Sequence, residues 1–243
     1  MADIKMPLTA HLEELRWRII RALIAVAVAF AATYGFADWL FAFLTHPLTG
    51  YESGPVELIG TGIPEAFFTK LKVSLIAALF LASPVIFHQF WQFVSPGLYQ
   101  REKHYARPFV FFATLFFLLG ATFCYVVVFP IGYAFFIAEY KTIGVAPAIR
   151  ISEYLSFSSR MLLAFGVTFE LPVVTFFLAR IGLVTHRSML GYARYALVVI
   201  FILAAILTPA DVASQVLMAG PLALLYAISI GIAYLFGKQR QGG

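Results

Sequence analysis

Charge is scarce in this chain of 243 residues: Asp, Glu, Lys and Arg make up 12% of it and hydrophobic types 62%. A soluble domain carries about 25% charged residues, so a water-soluble globule is excluded and a polytopic membrane protein is indicated. Cysteine is nearly absent. Cys124 stands alone in an apolar run, which excludes an internal disulfide and any cysteine-built metal centre. The five histidines (His11, His46, His88, His104 and His186) lie near expected loops and show no ligand spacing. There is no HExxH, GxSxG or P-loop, and no Ser/His pair within the apolar runs suited to an intramembrane protease. No enzyme activity and no cofactor are therefore expected. No internal repeat marks an inverted-repeat transporter. No cleavable signal peptide is expected, because the first apolar run is too long for one.

What is present is a series of six apolar runs, at about 22–44, 71–94, 108–137, 157–179, 192–207 and 216–236. A spanning helix needs about 20 residues to cross about 30 Å of hydrocarbon. The first four runs satisfy that. The fifth, over 192–207, reaches only about 24 Å at 1.5 Å per residue, which predicts thinned bilayer or an end short of the far surface. Pro84, Pro130, Pro172 and Pro221 fall inside runs and predict kinks. Ahead of the first run, Leu8, Leu12, Leu15 and Ile19 share one helical face. Thr9 suits the N-cap, Glu13 and Glu14 lie early, and Arg16, Arg18 and Arg21 lie late, as the helix dipole prefers. The pattern predicts a short amphipathic helix on the membrane surface within residues 1–21, leading directly into the first span.

The basic residues set the topology. Of 17 Lys and Arg, only Lys70, Lys72, Lys141, Arg150 and Arg160 fall outside the N-terminus, the second and fourth loops and the C-terminus. This alternation fits six spans with both termini inside. It also accounts for the basic loops without nucleic acid. The expected fold is one all-α, six-span membrane domain with two short C-terminal spans. Outer loops are expected at 45–70, rich in proline and glycine and including Pro47, at 139–154, and at 208–215.

Three polar stations interrupt this scaffold. Glu170 falls near the middle of the fourth run. An ionised carboxylate there is costly unless paired, wet or protonated. It serves either packing against a neighbouring helix or a polar contact with partners or water, and it could reach the backbone group that Pro172 leaves unbonded. Glu14 and Glu102 are acids on the basic side. Either each pairs with a neighbouring base, Glu14 with Arg18 at i,i+4, or each offers a carboxylate to an arriving guanidinium. Trp91, Phe93 and Tyr99 could stack on that cation or belong to the interfacial aromatic belt. Thr208, Asp211, Ser214 and Gln215 cluster between the last two runs, either as turn and cap chemistry or as a polar patch for another transmembrane helix. A small-molecule transporter that uses Glu170 as proton carrier is the alternative function, weakened by the lack of a buried base and of repeats.

Several blocks together resemble the TatC family of the twin-arginine protein translocase. They are PLTAHLEELRWRI, SPVIFHQFWQFVSPGLYQREK, FCYVVVFP, FGVTFELP and LTPADVASQ, in order along nearly the whole chain. The resemblance implies a multi-pass protein of the bacterial cytoplasmic membrane that recognises twin-arginine signal peptides and passes folded proteins outward at the expense of the proton-motive force. It assigns signal recognition to Glu14 and Glu102, with Arg16, Phe93 and Leu98 beside them. It assigns an intramembrane role to Glu170, partner contacts with TatA- and TatB-like single-span proteins to Thr208, Asp211 and Gln215, and an outer-loop structural role to Pro47. Further copies of the chain are expected in the assembly.

Overall fold

The structure, a computed structural model, describes residues 8–49, 57–94, 106–208 and 212–237. Its helices are α1 (Leu8–Tyr34), α2 (Ala37–Thr49), α3 (Glu65–Val94), α4 (Ala106–Phe123), α5 (Phe129–Thr142), α6 (Ile151–Thr168), α7 (Glu170–Arg180), α8 (His186–Leu207) and α9 (Val212–Phe236). A π-helical turn, Cys124–Val128, joins α4 to α5. Five units are long and apolar enough to cross a membrane: α3, α4 with α5, α6 with α7, α8, and α9. The pair α1 and α2 supplies a sixth if it counts as one bent span. The all-helical, polytopic architecture is the expected one.

The first span differs from expectation. The amphipathic stretch leads directly into the first span as one helix, α1, that continues to Tyr34, and the single run expected over 22–44 is divided between α1 and α2. No proline or glycine occurs between Leu8 and Tyr34, so nothing interrupts the backbone ladder. The first break comes at Gly35, where the chain turns by 86° into α2.

Pro47 lies inside α2 and not in an outer loop. A helical proline has no N–H for the carbonyl four residues back, here that of Phe43. Tyr125 supplies the missing donor: its hydroxyl donates to the Phe43 carbonyl at 2.6 Å, and its ring stacks on Phe43 at 4.5 Å. The Tyr154 hydroxyl donates to the neighbouring Leu44 carbonyl at 2.6 Å. Leu44 and Leu48 thereby enter the main core with Phe129, Tyr133, Leu155 and Phe165. Pro84 is handled in the same way within α3, where the Ser83 hydroxyl donates to the Phe80 carbonyl at 2.7 Å.

The α4–α6 crossing needs glycine. A Cβ on Gly166 would sit 2.7 Å from the Phe117 ring, and one on Gly120 would sit 2.9 Å from both the Phe165 carbonyl carbon and the Phe169 Cβ. Small residues let membrane helices approach this closely. The fourth span breaks at Phe169. Pro172 therefore falls in the first turn of α7, where backbone N–H groups have no intrahelical acceptor anyway.

The fifth span is also longer than the 16-residue run. α8 starts at His186, giving 22 residues and about 33 Å. Thr185 caps it, its side chain accepting from the Ser188 N–H while Ser188 bonds back, a capping box that carries the helix through Arg187. It remains the shortest of the five. Only Ile200 and Ala204 of α8 are buried, so most of its circumference is free for lipid or a partner helix.

Beyond the helix ends, Leu58–Ile59 pairs in parallel with Ile149–Arg150. Glu65 ties these two connections together. Its Oε2 accepts the N–H groups of Thr61 at 2.6 Å and Gly62 at 3.1 Å, and its Oε1 accepts the N–H of Ser152 at 3.0 Å. Lys70 joins α3 to α2 through Asp38 at 2.6 Å.

Candidate functional site

The first polar station forms where α1 lies along the last turns of α3. Glu14 and Arg18 are one helical turn apart on α1. The Arg18 Nη2 donates to Glu14 Oε1 at 2.7 Å. The Arg18 Nη1 donates to the side-chain oxygens of two α3 residues, Gln92 and, at 3.5 Å, Gln89. Gln92 also meets His88, Nε2 to Nε2, at 2.8 Å. On the same side, the His11 ring stacks on Phe93 with centroids 4.4 Å apart, and its Nδ1 lies 3.9 Å from Glu14 Oε2. The structure thus brings Glu14 and Phe93 into one patch, with His11 as the bridge. Arg16, two residues from Glu14 on a helix and so on another face, is exposed and stands apart. Leu98 and Glu102 lie outside the described residues.

Of the two readings of Glu14, the pairing with Arg18 is present, but it is not a loose surface pair. The two side chains are only 21% and 19% exposed, and the Arg18 Nε is buried without a partner among the described residues. Sequence reasoning missed the glutamine pair. The signal was available as Gln89 and Gln92 in the last turns of the second span, three residues apart and so near one helix face.

The second station is Glu170, the first residue of α7. It is half-buried against α4, with the Phe117 main chain beside its carboxyl group. Its Oε1 is buried with no partner among the described residues.

The third station divides. Thr208 is buried and its hydroxyl donates to the Ala204 carbonyl at 2.8 Å. With Ser214, Met161, Phe157 and Met218 it lines a cavity of about 150 Å³ between α5, α6 and α9. Gln215 faces elsewhere, over a shallow apolar groove of Leu197, Val198, Phe201, Ile202 and Ala205 on α8, and its Nε2 donates to the Phe201 carbonyl at 3.0 Å. Helix α9 points consecutive residues about 100° apart, so Ser214 and Gln215 serve two surfaces. The expected single patch is two sites, and Asp211 lies outside the described residues. Glu170 is not among the residues that line the cavity.

A bundle of spanning helices, with isolated polar groups at helix breaks and ends and no cluster of His, Cys, Asp and Glu fit to hold a metal among the described residues, defines a polytopic helical membrane protein. Comparison then fixes the kind. Residues 10–221 match the family "TatC: Sec-independent protein translocase protein (TatC)". The chain is 48% identical over 237 residues to the Sec-independent protein translocase protein TatC of Desulforapulum autotrophicum, covering 97% of this chain and 87% of that protein. It is 45% identical over 230 residues to the Helicobacter pylori protein of the same name, covering 93% and 87%. A crystal structure of the twin arginine translocase receptor TatC superposes with a TM-score of 0.83 at 37% identity, covering 93% of this chain and 99% of that one. The chain belongs to the TatC family and is a multi-pass membrane component of the bacterial twin-arginine translocase, which works with other subunits of that system. A protein translocase replaces the small-molecule transporter as the frame for Glu170.

Proposed function

We propose that this chain is the signal-peptide receptor and core of the twin-arginine translocase, with both termini and the segment 95–105 in the cytoplasm. The observation that carries the reading is the α1–α3 junction. Glu14, His11 and Phe93 form one patch there, and α3 ends at Val94, directly before the segment that holds Leu98 and Glu102. A carboxylate matches the guanidinium fork, so Glu14 and Glu102 each take one arginine of the signal. Phe93 and Leu98 flank them, Arg16 contributes from the neighbouring exposed face of α1, and an aromatic face accepts a cation or the adjoining apolar residue. The positive-inside distribution of Lys and Arg supports the orientation.

In this reading single-span partners of the TatA and TatB kind use the rest of the molecule. The unpartnered side of α8 with Gln215 takes one helix, and Glu170, short of a hydrogen-bond partner at Oε1, takes a polar residue of another. The translocated cargo is folded and the proton-motive force drives it. A bundle this narrow gives no passage for a folded protein, so further copies and partners build the path.

The test is crosslinking of a twin-arginine peptide to membranes that carry Glu14→Gln, Glu102→Ala or Glu102→Lys. Loss of a charged hydrogen bond of about 1.5–3 kcal/mol lowers binding about 10- to 100-fold at each acid. Wild-type, arginine-dependent binding in the Glu102 variants removes that residue from the site. For Glu170, partner co-purification is lost in Glu170→Ala and kept in Glu170→Gln. If both variants match wild type, Glu170 serves packing only.

A further inference from the structure

Arg160 lies inside a spanning unit, Ile151–Arg180, and is exposed on the surface of the bundle. A charge within a span is costly and is kept where it has a partner. Among the described residues Arg160 makes no hydrogen bond or ion pair. We propose that its partner is a lipid phosphate, held in the hollow between α6 and the end of α8. That end faces the outer leaflet in the orientation proposed above.

The hollow has a volume of about 420 Å³. Arg160, Ser156 and Glu153 line it from α6, and Ile206, Leu207 and Thr208 line it from the other side. α8 ends at Leu207, so the hollow opens at the end of a span, where lipid headgroups lie. Helical side chains lean toward the N-terminus of their helix, which for α6 is this same end. The stem of Arg160 thus runs along apolar surface and its charge reaches the headgroups.

Charge and donors fit a phosphate. The Glu153 carboxylate is met by Arg150 at 3.7 Å, so with Arg160 the three side chains sum to one positive charge. The Ser156 hydroxyl is committed to the Ser152 carbonyl at 2.7 Å and that of Thr208 to the Ala204 carbonyl at 2.8 Å. The guanidinium fork of Arg160 is uncommitted, and it matches phosphate oxygens in pairs. Ile206 beside it is 67% exposed, an apolar wall that suits the chain of a lipid and not a free anion. A partner helix seated over Gln215 does not fill this place, because that groove and this hollow share no lining residue.

The experiment uses the purified full chain in mild detergent with a phosphatidylglycerol that carries a photoreactive diazirine next to its phosphate. Peptide mass spectrometry locates the attachment, and labelling around Arg187 and Arg194, at the other end of the bundle, is the internal reference for each variant. Wild type is expected to be labelled within 152–160 and 206–208. Arg160→Gln lowers that labelling about 5-fold relative to the reference, the worth of one basic residue at a lipid surface. Arg160→Lys keeps most of it, since an ammonium binds phosphate as a point charge. Lys72→Gln, an exposed base near the same end of α3, leaves it at the wild-type level, and so does inorganic phosphate in large excess over lipid. The proposal is overturned if Arg160→Gln labels as wild type does. It is overturned if Lys72→Gln loses as much, which makes the effect one of general charge. Competition by inorganic phosphate assigns the hollow to a free anion instead. No lipid label in wild type, with Arg160-dependent crosslinking of a single-span helix at these residues, assigns it to a partner's carboxylate.

Discussion

The hydrogen bond from Tyr125 to the Phe43 carbonyl exists because residue 47 is a proline, and that dependence can be measured. Tyr125→Phe keeps the ring and its stacking on Phe43 at 4.5 Å and removes only the donor of the 2.6 Å bond. The carbonyl has no helical N–H to fall back on, since that donor would belong to residue 47. A hydrogen bond of this kind contributes about 0.5–1.5 kcal/mol net. The bond lies on an exposed part of the molecule, so the lower half of that range applies, about 0.5–1 kcal/mol. For a chain of this size that is about 1–4 °C in melting midpoint. In a Pro47→Ala background the new alanine N–H lies four residues after Phe43 and closes the helical bond. Tyr125→Phe should then cost close to nothing, and the double-mutant cycle should give a coupling of about 0.5–1 kcal/mol between residues that do not bond to each other directly. The assay is thermal or denaturant unfolding of the four purified proteins in one detergent. A cost for Tyr125→Phe that is the same with and without Pro47 would refute the reasoning, because the hydroxyl would then serve something other than the proline's vacant acceptor.

Two further outcomes follow from the packing. Gly120→Ala places a Cβ 2.9 Å from Phe169 Cβ and closer still to the Phe165 carbonyl oxygen; this overpacking destabilises by about 1–3 kcal/mol, read as a lower melting midpoint, and an unmoved midpoint would mean that α4 and α6 slide apart freely. Thr208 and Gln215 should separate in behaviour: Thr208→Val lowers thermal stability, since it loses the bond to Ala204 inside the bundle, whereas Gln215→Leu leaves stability near wild type and weakens partner-helix crosslinking at α8; equal effects of the two on both readouts would restore the single patch.

How far the sequence carries this fold depends on which signals are local. Run lengths and the placement of Lys and Arg give the spans, because hydrocarbon thickness and charge placement act on each segment separately. The boundaries needed finer chemistry. The start of α8 was lost because Arg187 and Ser188 ended the apolar run, although Thr185 and Ser188 are a capping pair that a search for helix starts could have found. The 86° turn at Gly35 was lost because the residues on both sides are apolar and one hydropathy run covers both helices. Pro84 was expected to kink its span and Pro47 to lie in an outer loop; within helices each leaves a carbonyl served by a specific donor, Ser83 for Pro84 and Tyr125 for Pro47, and the second donor is 82 residues from the carbonyl it serves, beyond any local window.

The site divides along the same line. Glu14 and Arg18 are neighbours on one helix, so their pairing was legible as an i,i+4 option. The patch around them was not, because it needs the crossing that places Gln89, Gln92 and Phe93 of α3 against α1. That difference changes the chemistry. An isolated Glu14–Arg18 pair on a solvated helix contributes a few tenths of a kcal/mol and would release its carboxylate to any cation. The same pair is not a loose surface contact here, because both side chains are mostly covered and the glutamines of α3 bind the guanidinium as well. The count of acids and bases, which pointed to the site, was silent about them.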